Sequence, residues 1–158
     1  MIRVVTPLLS ACSGFLLAVL WMDLIFDVQV VAHRRSRDEL PEPVLASIAG
    51  YYHRATTTSR PMSLLIALVM LILLGTLVFR AVFSRDAIWV VVVSAALAGG
   101  PVLLALTRTV PTAVRLGNRT DSDAEQTRLA RSIWRDHLLC VACMFAFLVL
   151  WVALSATS

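Results

Sequence analysis

FLLAVLWMDLIFDVQVV, residues 15–31, is apolar at every position except Gln29 and two aspartates, Asp23 and Asp27. No glycine or proline breaks the run, so its length and character predict a helix. A carboxylate at the centre of a bilayer costs roughly 2.5–3.5 kcal/mol on insertion scales. The two aspartates are therefore either a functional site or the mark of where a helix leaves hydrocarbon.

Upstream of this stretch the chain stays apolar to Val4, which predicts a first membrane span over 4–26. From Val4 to Asp23 is 19 residues, roughly 28 Å along a helix and close to a full hydrocarbon thickness of about 30 Å. Asp23 and Asp27 then fall at the far boundary, where a charge is least costly. Three further apolar runs predict spans over 62–79, 87–107 and 138–155, with a kink expected at Pro101 in the third. The composition agrees: 59% of residues are hydrophobic and 15% charged, against about half and one quarter for a soluble domain.

All 14 basic residues are arginine, and eleven of them fall in two segments, 33–61 and 108–137. The positive-inside tendency places both segments in the cytoplasm and both termini outside a cell membrane. Arg34, Arg35, Arg37, Arg54 and Arg60 fall in the first segment. Arg108, Arg115, Arg119, Arg128, Arg131 and Arg135 fall in the second, which leaves Arg3, Arg80 and Arg85 on the other face. The net charge of +4 points to anionic lipid headgroups as partners, and no basic–aromatic interleaving suggests nucleic acid. The expected fold is all-α: one membrane domain over 1–158 with four transmembrane helices in a bundle.

The two loops are expected to carry structure. In PEPVLASIAGYYHRA, Val44, Leu45, Ile48, Tyr51 and Tyr52 recur at helical spacing, predicting an amphipathic cytoplasmic helix along the membrane surface. SDAE at 122–125 matches a capping box, so the fourth helix is expected to begin near Asp123 and extend from the cytoplasm into its span. NRT at 118–120 has the form of a glycosylation sequon, which a cytoplasmic position would leave unused.

Each span contributes an ionisable residue at the inner boundary. Asp23 and Asp27 come from the first, Arg60 precedes the second, Arg108 ends the third, and Arg135, Asp136 and His137 precede the fourth. The aspartates are spaced i, i+4 on one helix face, so a neighbouring arginine is expected to serve both. One reading of this layer is an ion-pair collar that sets helix depth; the other is a polar pocket for a ligand or proton. No metal or cofactor is expected: His137, Cys140 and Cys143 lie close in sequence, but a small apolar packing role suits the cysteines. Ser10, Gly14 and Ala18, like Ser94 and Ala98, recur every four residues and permit close helix packing, within the chain or in a homo-oligomer.

TVPTAV around Pro111 after the third span, together with Trp134 and His137 ahead of the fourth, resembles the anthrone-oxygenase-like family of small bacterial membrane proteins. The resemblance implies a shared four-helix layout. It also implies, for some members, cofactor-independent oxygenation of polyketides. An Asn after the proline and an Arg three residues after the histidine are frequent in that family; Thr112–Ala113 and Cys140 stand there in this chain. With no reacting cluster visible along the sequence, the expected function is a non-enzymatic scaffold or accessory protein for a membrane complex or lipid. The alternatives are an oxygenase-like enzyme, with His137 as base or orienter and Tyr51 or Tyr52 and the aspartates shaping a pocket at the inner boundary, and a small oligomeric ion- or proton-coupled transporter using Asp23 and Asp27.

Overall fold

A computed structural model describes residues 2–33, 39–83 and 87–156, with side chains from Val5 onward. Arg34, Arg35, Arg37, Arg85 and the Arg3 side chain, which enter the arginine count above, lie outside the described residues. The described chain is helical: α1 (Ile2–Ala32), α2 (Glu42–Thr57), α3 (Arg60–Phe83), α4 (Ile88–Asn118) and α5 (Asp123–Ala156). All but α2 are long and apolar enough to cross a membrane, with mean hydropathy between 2.0 and 2.8 in their most apolar windows. Even α3, at 24 residues, reaches roughly 36 Å. This composition suggests a multi-pass membrane protein. The outward faces fit that solvent, because α3 buries only Leu73 and leaves Leu64, Leu71 and Val78 exposed.

α1 packs against α3 and α5, and α4 packs against the same two helices. α2 lies across one end, against α1, α5 and the last turns of α4. Two apolar cores result. Leu9, Leu16, Leu73, Val90, Ala98, Met144, Phe147 and Trp151 fill the space between the long helices. At the α2 end, Val30, Leu45, Ile48, Tyr52, Leu116, Leu129 and Ile133 form the second core. The apolar stripe of α2 is thus covered by protein, where the sequence pattern alone suggested a membrane surface. α1 accordingly continues past Phe26 to Ala32, because Val30 belongs to this second core.

α4 differs from its sequence reading in a specific way. It runs through Pro101 as regular helix, and the departure comes later, as a π turn over Ala105–Thr109. There the amide of Val110 bonds back to the carbonyl of Ala105, five residues earlier. Pro111 gives the reason: its ring would strike the carbonyl four residues before it in a regular helix, and the wider turn relieves that clash. Regular helix resumes over Val110–Asn118 and ends on Arg119 in the left-handed region (φ 52°).

The α4–α5 turn is tied to α2 by charge and by close approach. Arg119 pairs with Glu42 at 2.7 Å, while Arg115 bonds Asp121 (2.9 Å) and Glu125 (3.3 Å). The Glu125 amide donates to Ser122 Oγ at 3.4 Å, half of the expected capping box; the Glu125 carboxylate turns instead to Arg128 at 2.6 Å. These exposed pairs contribute little individually, about 0–1 kcal/mol each. Gly117 matters more, because a Cβ there would stand 2.8 Å from the backbone nitrogen of His53 and 3.0 Å from its Cα. Gly14, Gly99 and Gly100, by contrast, have nothing within 4 Å of an added Cβ. Among the glycines, the close helix contact is the one against α2.

Two substitutions check this packing. Gly117→Ala should destabilise the protein by about 1–3 kcal/mol in detergent unfolding, because only backbone is available to yield. Gly50→Ala, whose new Cβ would meet only Arg54 Nη1 at 3.7 Å, should be neutral or stabilising by about 0.5–1 kcal/mol through helix propensity.

Candidate functional site: a buried Asp–His–Tyr cluster

Between the two apolar cores lies a layer of polar side chains. On α1 it falls after Leu16 and before Val30; on α5 it falls after Ile133 and before Met144. Asp23 and Asp27 come one helical turn apart from α1, Tyr51 and Tyr52 from α2, and His137 from α5. Asp27, Tyr52 and His137 are buried.

Asp27 is the centre. Its Oδ1 accepts a hydrogen bond from the Tyr52 hydroxyl at 2.6 Å, and its Oδ2 lies 2.6 Å from His137 Nδ1. A carboxylate accepts and an imidazole N–H donates, so Nδ1 carries a proton and the ring is held in one orientation. Asp23 repeats the pattern at the rim: its Oδ1 accepts from the Tyr51 hydroxyl at 2.5 Å. Its Oδ2 faces His137 Nε2 at 4.0 Å, beyond hydrogen-bond reach. Nε2 therefore has no hydrogen-bond partner among the described residues. Tyr51 is fixed further by a parallel stack on Phe26, with ring centroids 4.0 Å apart and planes 12° apart.

The helices set this geometry for simple reasons. The i, i+4 spacing of Asp23 and Asp27 aims both carboxylates to one side of α1. The adjacent tyrosines of α2 diverge, one onto each carboxylate, with their rings in edge contact at 5.1 Å. Burial, reinforced by the carboxylates they bond, pushes both tyrosine hydroxyls well above their ordinary range. Both therefore remain donors.

A second group stands beside the first. Asp136, also buried, receives Arg108 Nε at 3.3 Å and the Thr109 hydroxyl at 3.4 Å, and Arg108 Nη2 bonds Ser132 Oγ at 2.8 Å. Both α4 residues sit in the π turn.

The structure thus unites Asp23, Asp27 and His137 of the sequence-defined layer. Arg108 goes to Asp136. Arg135 is exposed and donates Nε to the carbonyl of Arg131 at 3.3 Å, and Arg60 is exposed at the first position of α3. The arginine expected to serve the aspartates is replaced by an imidazole and two phenols. Tyr51 and Tyr52 carried the available signal, since both are polar-tipped residues on the apolar stripe of an amphipathic helix. Asp136 was already in the sequence-defined layer beside Arg108, whereas Thr109 gave no signal, because its meeting with Asp136 depends on the π turn.

No family model, no curated protein and no solved structure matches this chain. What fold and site define is a class: an all-helical chain with four helices apolar enough to span a membrane, holding a buried carboxylate–imidazole pair.

Two measurements test the cluster. Asp27→Ala leaves Tyr52 and His137 buried without their partner and should cost about 3–5 kcal/mol in unfolding experiments. The chain has only two tyrosines. Their raised hydroxyls contribute stability that is present below the unfolded value of about pH 10 and lost as pH rises beyond it. Tyrosinate absorbance should therefore stay absent past that point and appear together with unfolding; a free-tyrosine titration in the folded protein would contradict the hydrogen bonds to Asp23 and Asp27.

Proposed function

We propose that the protein is a membrane-embedded enzyme that works by acid–base chemistry at the Asp23–His137 gap. The supporting observation is the 4.0 Å separation of Asp23 Oδ2 from His137 Nε2 on a ring whose other nitrogen is anchored by Asp27. One oxygen about 2.8 Å from each atom would bond both, with the two directions roughly at a right angle. A substrate hydroxyl or enol seated there gives its proton to Asp23. The resulting oxyanion rests against Nε2–H of the imidazolium, whose Nδ1–H is held by Asp27. The charge of the site is unchanged by the step: one carboxylate is neutralised and one oxyanion appears. Tyr51 keeps Asp23 in place, and Tyr52 does the same for Asp27.

The scaffold reading drew on the lack of a reacting cluster along the sequence. Asp27 and His137 are 110 positions apart; the sequence brought them to a common layer but not into contact. Arginine asymmetry supports the finer placement: a four-helix bundle in the cell membrane, with α2 and the α4–α5 turn cytoplasmic, both termini outside, and anionic headgroups around the arginine-rich end. The likeness to the anthrone-oxygenase-like family around Pro111 and His137 supports a specific onward reaction. The carbanion form of the deprotonated substrate adds dioxygen without a cofactor; one oxygen atom becomes the new carbonyl and the other leaves as water.

Anthrone is the direct probe. Purified protein in lipid nanodiscs should convert it to anthraquinone with one dioxygen consumed per product, faster than nanodiscs without protein. His137→Gln and Asp23→Asn should each lower that rate by about 100-fold or more, the usual scale of a positioned acid–base group. Equal rates for wild type and His137→Gln would remove the acid–base reading.

A further inference from the structure

We infer that the bundle binds an internal water between Ser94 and Trp151, at a second polar level in the core between the long helices. The site is separate from the Asp–His–Tyr cluster and does not depend on the acid–base reading.

Two buried polar atoms carry this inference. Ser94 is fully enclosed and Trp151 is 2% exposed, yet neither Ser94 Oγ nor Trp151 Nε1 has a hydrogen-bond partner among the described residues. Arg80 does not serve the indole N–H. Its guanidinium lies over the ring face, with Cζ 4.8 Å from the centroid, and its Nη1 donates to Thr6 Oγ1 at 3.1 Å. The Nε1–H at the ring edge can only donate, and buried donors left without an acceptor are rare in proteins.

Helix register brings the two groups to one height. Thr109 of α4 meets Asp136 of α5, and the two helices run antiparallel from the turn that joins them. Ser94 and Trp151 each lie 15 residues from that contact, toward the same end. The same reasoning on α1 adds a third group. Asp27 meets His137, and Ser13 and Trp151 each lie 14 residues beyond them, roughly 21 Å along a helix. Ser13 is fully buried and donates to the Ser10 carbonyl at 3.0 Å, which leaves its own oxygen able to accept. α5 packs against both α1 and α4. Three buried polar side chains, one from each of these helices, therefore share a level in a core that is otherwise apolar.

Water is the molecule whose chemistry matches all three. It accepts from Trp151 Nε1–H, donates to Ser13 Oγ and pairs with Ser94 Oγ, which is the usual complement of about three partners for an internal water. A cation is repelled by the Nε1–H donor, and an anion would be a bare charge among Leu9, Leu73 and Phe147. Leu16, Met144 and Phe147 stand between this level and Asp27. The water is thus a single enclosed molecule and not part of a passage to the cluster.

Nuclear magnetic resonance of the protein in nanodiscs, with isotope-labelled indole nitrogens, tests this. The chain has four tryptophans, and Trp151→Phe assigns the buried one. Magnetisation transfer from water to the Trp151 indole proton should appear with opposite signs in NOESY and ROESY, the mark of a bound water; hydrogen exchange gives equal signs. Ser94→Ala removes a hydroxyl able to relay the transfer but leaves room for the water, so the transfer should persist. Ser94→Val fills that room and should abolish it, with unmoved Trp21, Trp89 and Trp134 signals showing that the variant is folded. Absence of the opposite-sign transfer in the wild type would overturn the inference, as would its loss in Ser94→Ala or its survival in a folded Ser94→Val. If Ser94→Val does not fold, the wild type and Ser94→Ala decide the matter alone.

Discussion

A single carboxylate, Asp27, holds the three parts of this protein together. Exposed Ile25 and Val28 lie near it on α1, yet its own side chain is buried against α2 and α5. One of its oxygens takes the Tyr52 hydroxyl and the other takes His137 Nδ1, each at 2.6 Å. Hydrogen bonds to a charged group contribute about 1.5–3 kcal/mol each, and leaving such a group buried and unpaired costs more. The two bonds therefore dictate register: α2 has to lie across α1 at one height, and α5 has to present His137 at the same height. Dispersion between leucines and valines is permissive about sliding by a turn. Asp27 is not.

The apolar packing on either side of Asp27 makes that constraint workable. The core at the α2 end excludes water from one side of the layer, and the core between the long helices excludes it from the other. In the low dielectric between them, each polar contact is stronger and each missing contact more costly. Gly117 serves the same end, because only a residue without a side chain lets α4 come close enough to α2 to close the first core. The π turn adds a second buried carboxylate contact by rotating Arg108 and Thr109 onto Asp136. Strain from Pro111 and placement of a polar pair are thus settled in the same five residues.

The site differs from an ion-pair collar in the kind of partner it uses. Arginine would have bridged the aspartates with a guanidinium that keeps its protons. Here an imidazole and a phenol bond Asp27, a second phenol bonds Asp23, and Nε2 faces Asp23 across a distance too long for a bond. On the proposed acid–base function the two phenols only donate, and the proton that moves passes between the substrate and the Asp23 carboxylate.

Much of the architecture was legible in the residues themselves. Four long apolar runs demand helices because an unpaired backbone is too costly in hydrocarbon, and that requirement is local. The amphipathic spacing of α2 and the start of α5 at Asp123 are local too, and both stand in the structure. The spacing of Asp23 and Asp27 placed them on one face for the same reason. Tertiary structure decided what those carboxylates meet. Sequence pattern ranks candidate partners by charge, which favours arginine, but contact is settled by which side chain arrives at the same height and angle once the helices have packed. Here the length of α1, the fold of α2 back across it and the rotation of α5 bring an imidazole and two phenols to Asp23 and Asp27, and carry Arg108 one position aside to Asp136.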